Sequence, residues 1–265
     1  MNLPRTGVFC VGHNGGVSSA DGKGGQTFWK WGILGLVILA TMTFAFLGLQ
    51  ADPTQPADRL SHEWWAQRHA ACVELTQKGG IDVIFLGDSI TQGWESVGKA
   101  TWDAEFAPLK AANFGFSGDR TEHVIWRLRN GEMAGLDAKV VVLMIGTNNI
   151  GNGGGDPAQT AKGVRAVVSE LKMALPETKI LLLAIFPRGE NPDEQVRVKV
   201  AQATDMFKDV ADGKQVHFLD IGKHFVRSTG TLRTHLMPDR LHLSPDGYQI
   251  WAKAMKPTLL ELLEE

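Results

Sequence analysis

The chain has 265 residues, 43% hydrophobic and 21% charged, a balance suited to one catalytic domain with a buried core. Its net charge is -2, with both signs interspersed and no basic block, which argues against nucleic acid as a partner. Cys10 and Cys72 are the only cysteines and come without CxxC or Cys/His spacing, so neither a disulfide framework nor a zinc site is expected, and no cofactor is implied. Residues 1–30 are rich in Gly and Ser with little apolar periodicity and read as disordered. Gly32 to Leu49 is an apolar run without a charge. Its length lies between a secretory apolar region and a spanning helix, so residues 31–51 read as a membrane anchor or a signal segment, with Gln50-Ala51 as the point of cleavage in the second case. Lys23 and Lys30 precede the run, so both readings export the remainder of the chain and give an extracytoplasmic domain, tethered through the membrane if the segment is uncleaved. Residues 52–58, with Pro53 and Pro56, read as a linker to a domain over 59–265.

Arg59 to Lys78 reads as a helix with Trp64, Trp65 and Ala71 toward the domain. Runs of strand length rich in Val, Ile and Leu occur at Asp82–Leu86, Ala111–Phe114, Val140–Ile145, Lys179–Ala184 and Val216–Leu219. Helical patterns separate them. The clearest is Asp156 to Leu175, with Asp156 as cap, Pro157 at the first position and Val164, Val167, Val168 and Leu171 at helical spacing. Ser244-Pro245-Asp246 repeats that start signal before an apolar face of Tyr248, Trp251, Met255, Leu259 and Leu262. Alternating strand and helix predicts an α/β fold, a three-layer doubly wound sandwich around a five-stranded parallel sheet. Ligands in such sheets bind beyond the carboxyl ends of the strands.

The residues after each strand are therefore the place to look for chemistry. Gly87-Asp88-Ser89 follows the first, Gly115 to Asp119 the second and Gly146-Thr147-Asn148-Asn149 the third, while Asp239-Arg240-Leu241-His242 lies beyond the fifth. Nucleophilic catalysis by serine needs a base, a group to orient the base, and donors for the developing oxyanion. Ser89 is held between a strand end and a turn. Asp239, three residues before His242, can accept the imidazole Nδ1–H on one tight turn while Nε2 faces the serine. Gly115 and Gly118 allow a backbone N–H to approach a ligand, and the Asn148 amide donates without carrying charge.

With these residues in place, the sequence resembles the SGNH hydrolases, or GDSL esterases and lipases. GDSIT at 87–91, NFGFSGD at 113–119, GTNN at 146–149 and DRLHLS at 239–244 correspond in order to that family's four blocks. NFGFSGDRTEHVIWRLRNGE at 113–132 and VVVLMIGTNN at 140–149 are similar to the type Ib platelet-activating-factor acetylhydrolase catalytic subunits. The resemblance implies a flavodoxin-like SGNH fold and a serine esterase working through an acyl-enzyme. It carries over Ser89, Asp239 and His242 as the triad, and the Ser89 N–H, the Gly118 N–H and the Asn148 side chain as the oxyanion hole. It also implies short acyl, above all acetyl, esters as substrates, while the export segment suits carbohydrate esters. A lysophospholipase or thioesterase would use the same residues. An inactive membrane-tethered binding module would lack one of the blocks, and all four are present. No GxSxG elbow occurs.

Other residues invite competing readings. His123 lies near the glycine block but has no carboxylate at the simple spacing of the Asp239–His242 pair. His224 and His235 share a loop with Asp239 but lack regular metal-ligand spacing. Trp94, Trp102 and Trp126 either line a pocket or fill the core, and Ser117 either contacts substrate or caps the next helix.

Overall fold

The computed structural model describes residues 52–151 and 155–264. The expected disordered region, the anchor or signal segment and Cys10 lie outside these residues. Among the described residues no helix is long and apolar enough to cross a membrane. In chain order the elements are α1 (Glu63–Lys78), β1 (Val83–Gly87), α2 (Ser89–Gln92), α3 (Lys99–Glu105), β2 (Ala111–Gly115), α4 (Thr121–Arg127), β3 (Val140–Met144), α5 (Thr147–Gly151), α6 (Pro157–Ala174), β4 (Lys179–Leu183), α7 (Gln195–Phe207), β5 (Val216–Leu219) and α8 (Pro245–Glu264). The five strands form one parallel sheet in the order β2-β1-β3-β4-β5, the doubly wound arrangement expected.

Strand side chains alternate between two cores, which is why the central strands are apolar throughout. Ile84 and Leu86 of β1, Val141 and Leu143 of β3, and Ile180 and Leu182 of β4 pack with residues of α1, α4, α6 and α7. Val83 and Phe85, Val140 and Val142, and Leu181 and Leu183 face the other way, toward Trp94, Phe106 and Phe186 and toward Tyr248, Trp251 and Met255 of α8. Asp156 caps α6 through the Ala158 N–H at 2.9 Å, with Pro157 as its first residue.

The first helix departs from expectation. It starts at Glu63 instead of Arg59, and its buried residues are Trp65, Cys72 and Thr76. Ala71 is exposed, and Trp64 points outward with the Arg59 guanidinium 5.3 Å from its ring. The two adjacent tryptophans lie about 100° apart on the helix, so only one can enter the core. Residues 52–58 lie against the domain: Pro53 is buried, its carbonyl accepts the Thr121 hydroxyl at 2.9 Å, and the Ala57 N–H donates to the Glu122 carbonyl at 3.1 Å.

Candidate active site

The serine stands where β1 turns directly into α2. A Cβ on Gly87 would fall 2.2 Å from Thr91 Oγ1 and 2.4 Å from the Met144 carbonyl oxygen, so only glycine lets the helix start this close to the strand end. Three contacts then fix α2. The Asp88 carboxylate accepts the Ile90 N–H at 2.9 Å as its cap. Asn113 of β2 donates to the Thr91 carbonyl at 2.9 Å and accepts the Gly115 N–H at 2.8 Å. The Tyr248 hydroxyl of α8 donates to the Ile90 carbonyl at 2.7 Å. Ser89 is left half-buried, with its hydroxyl open to one side.

From that side comes His242, with Nε2 at 2.9 Å from Ser89 Oγ. Its Nδ1 lies 2.6 Å from Asp239 Oδ2, while Asp239 Oδ1 accepts the N–H groups of Leu241 at 3.0 Å and His242 at 2.7 Å. Arg240 completes this turn in a left-handed conformation, φ 64°. Burial pushes the Asp239 carboxyl up, but the hydrogen bonds from the His242 ring and the turn backbone prevail and hold it below the ordinary carboxylate value. An ionised Asp239 needs a proton on Nδ1, and this leaves the Nε2 lone pair facing the serine hydroxyl.

Across the strand ends, Gly118 takes φ 74°, a left-handed turn that glycine adopts without strain. Asn148, buried in the first turn of α5, donates its side-chain amide to the Asp119 carbonyl at 2.9 Å. Asp119 thus links the two candidate donors, and a cluster behind it holds it still. Its carboxylate accepts Trp65 Nε1 at 2.8 Å, Arg127 Nε at 2.9 Å and Arg59 Nη1 at 3.1 Å. Arg127 is fully buried, stacks 3.9 Å from the Phe116 ring centre and also pairs with buried Glu132.

The remaining sequence candidates fall elsewhere. His123 uses Nδ1 to accept the Arg120 N–H at 3.0 Å, and burial together with nearby guanidinium groups pushes its pKa down to about 3, so it stays neutral. His224 and His235 are exposed, and no group of metal-ligating side chains occurs among the described residues. Trp94 is fully buried; Trp102 and Trp126 pack against the two cores. Ser117 is exposed and does not cap α4, whose cap residue is Arg120. Burial pushes the Cys72 thiol up to about 12, which makes it a poor nucleophile. Sequence reasoning misses Asn113, Asp119, Arg127 and Arg188. Asp119 and Asn113 lie inside the glycine block, but Thr91, Trp65, Arg59 and Asn148, which they hold, lie 22 to 60 residues away, beyond what spacing reveals.

The family model of the GDSL-like lipase/acylhydrolase family matches residues 85–250. The chain is 36% identical over 216 residues to the Homo sapiens platelet-activating factor acetylhydrolase IB subunit alpha1, covering 81% of this chain and 91% of that one. Among solved structures, a GDSL-like lipase from Bacteroides thetaiotaomicron superposes with TM-score 0.59 at 20% identity, covering 75% of this chain and 97% of that one. The acetylxylan esterase Axe2 from Geobacillus stearothermophilus gives TM-score 0.54 at 21% identity, with 70% and 94% covered.

Proposed function

This chain belongs to the GDSL-like lipase/acylhydrolase family and is an ester hydrolase; on that premise we propose that Ser89, His242 and Asp239 carry the reaction and that the acyl group removed is short, acetyl above all. The observation that carries the assignment is the continuous relay from Ser89 Oγ through the His242 ring to Asp239, with links of 2.9 and 2.6 Å. As the Ser89 oxygen bonds to the ester carbonyl carbon, its proton passes to His242 Nε2, and Asp239 stabilises the imidazolium. The carbonyl oxygen becomes an oxyanion and is met by the N–H groups of Ser89 and Gly118 and by the Asn148 amide. His242 returns the proton to the departing alcohol as the ester C–O bond breaks. Water then attacks the acyl-serine by the same route, giving the carboxylic acid and free Ser89. No cation enters this scheme.

Short acyl preference is supported by the acetylhydrolase relative, alike over four-fifths of the chain. We propose acetylated carbohydrate as the alcohol portion, on the reading of residues 31–51 as an export segment, anchored or released. Turnover of nitrophenyl esters from acetate to decanoate, alongside acetylated sugars, tests the substrate. Highest kcat/KM on acetate with a steep fall beyond about four carbons is expected. Each methylene entering an apolar acyl pocket would add about 0.8 kcal/mol instead. An optimum at octanoate or longer, with acetylated sugars untouched, would replace this reading by a lysophospholipase or thioesterase. Protease accessibility of the domain in intact cells tests its location.

A further inference from the structure

The loop after β4 brings an arginine to the edge of this site. Arg188 is half-buried, and its Nη1 donates to the Thr147 carbonyl at 3.0 Å and to Thr147 Oγ1 at 3.2 Å, one residue before Asn148. The guanidinium lies across α5: a Cβ on Gly151 would fall 2.1 Å from Nη1 and 2.8 Å from Nη2. The loop is held from both sides. Arg197 donates to the carbonyls of Arg188 at 2.8 Å and Gly189 at 2.5 Å, and the Gly189 N–H donates to the Arg240 carbonyl at 3.1 Å, next to Asp239.

Half-burying a guanidinium costs hydration energy, which a protein ordinarily recovers with a carboxylate or a full set of carbonyl acceptors. Arg127 has the first and Arg197 the second. Arg188 has neither: among the described residues its Nε and Nη2 find no acceptor and no carboxylate stands within ion-pair distance. We propose that Arg188 is a subsite for an anionic group, carboxylate or phosphate, on the alcohol portion of the ester, which rests on Ser89 being the nucleophile. A guanidinium fork with two nitrogens free suits planar or tetrahedral oxyanions. Burial pulls the Arg188 pKa below the ordinary guanidinium value, with the charges of Asp88 and Asp239 opposing. Those two carboxylates do not take the place of a ligand: Asp239 is engaged by His242 and its own turn, and Asp88 by the Ile90 N–H.

Three matched acetyl esters read the subsite in the full-length enzyme: 4-acetoxybenzoate, 4-acetoxyphenyl phosphate and the neutral 4-acetoxybenzamide. The quantity of interest is the ratio of kcat/KM for each anion to that for the amide, compared between wild type, Arg188→Gln and Arg188→Lys. Arg188→Gln is expected to lower the ratio about 10-fold or more, through KM, for at least one anion, and Arg188→Lys by less. The anion affected identifies carboxylate or phosphate as the recognised group. Equal loss on all three esters would make Arg188 a positioning residue for the Thr147–Asn148 turn and overturn the subsite, as would an unchanged ratio. Ser89→Ala, run on the same esters, separates the two claims: if it retains turnover the nucleophile assignment fails, whatever the ratios show.

Discussion

The two walls of the candidate site are built on opposite principles. On the glycine-block side, Asp119, Arg127, Glu132 and Trp65 form a fully buried charged cluster, and Asn148 hangs from the Asp119 carbonyl. On the acid-base side, Asp239 and His242 have side chains 56% and 45% exposed and are held by a four-residue turn. Oxyanion donors must not move as charge develops, so rigidity there is useful; a base that accepts and returns a proton benefits from solvent-stabilised charge. The first wall is therefore coupled to the stability of the domain. The second is nearly independent of it.

Substitutions separate these walls. Ser89→Ala and His242→Ala should each lower ester turnover about ten-thousand-fold or more with the melting temperature almost unchanged, checked by initial rates and calorimetry on the same preparations. Arg127→Met should do the reverse in kind, because Asp119 and Glu132 would lose the buried guanidinium they share. A loss of about 3–5 kcal/mol in denaturant unfolding is expected. Asn148→Ala belongs to both classes: kcat should fall about 10²–10³-fold with KM much less affected. Its lost bond to Asp119 should also lower the melting point measurably, whereas an unchanged kcat would assign Asn148 to structure alone.

The carboxylates sharpen the contrast through pH. Burial, reinforced by Asp119, pushes the Asp88 carboxyl up from 3.8 to about 7. The folded state thus binds this proton more tightly than the unfolded state. Its contribution is fully present below about 3.8 and is lost as pH rises through about 7. Against an Asp88→Asn reference, wild type should lose roughly a few kcal/mol of unfolding free energy over that window. Asp239 runs the other way, because its folded pKa is lowered: its contribution is present above the ordinary carboxylate value and lost as pH falls through the folded one. Solvent screening makes this the smallest of the effects, visible as a slight flattening of acid unfolding in Asp239→Asn.

The same contrast explains which features are legible in the sequence. Strands announce themselves because both faces are buried, and the Asp239–His242 pair because the two lie three positions apart. The approach of His242 to Ser89 spans 153 residues; the strand-end rule brings both to one edge of the sheet, and the resemblance of the four blocks pairs them. Nothing local distinguishes Arg188 from a solvent-facing arginine, since Thr147 lies 41 residues away; Arg127 has Asp119 and Glu132 only 8 and 5 residues away, but its burial comes from other elements, such as Gly87 at 40 residues. Helical spacing alone offers both Trp64 and Trp65 to the core, and the contacts of Trp65 with Asp119, His69 and Phe116 decide between them.

Covalent labelling tests the central claim most directly. An organophosphonate ester that mimics the tetrahedral intermediate should form a 1:1 adduct that peptide mass spectrometry locates on Ser89, with parallel loss of activity. Labelling should be absent in Ser89→Ala and strongly slowed in His242→Ala. An adduct on any other residue accompanying the loss of activity, or ester turnover that persists after Ser89 is fully modified, would contradict the account.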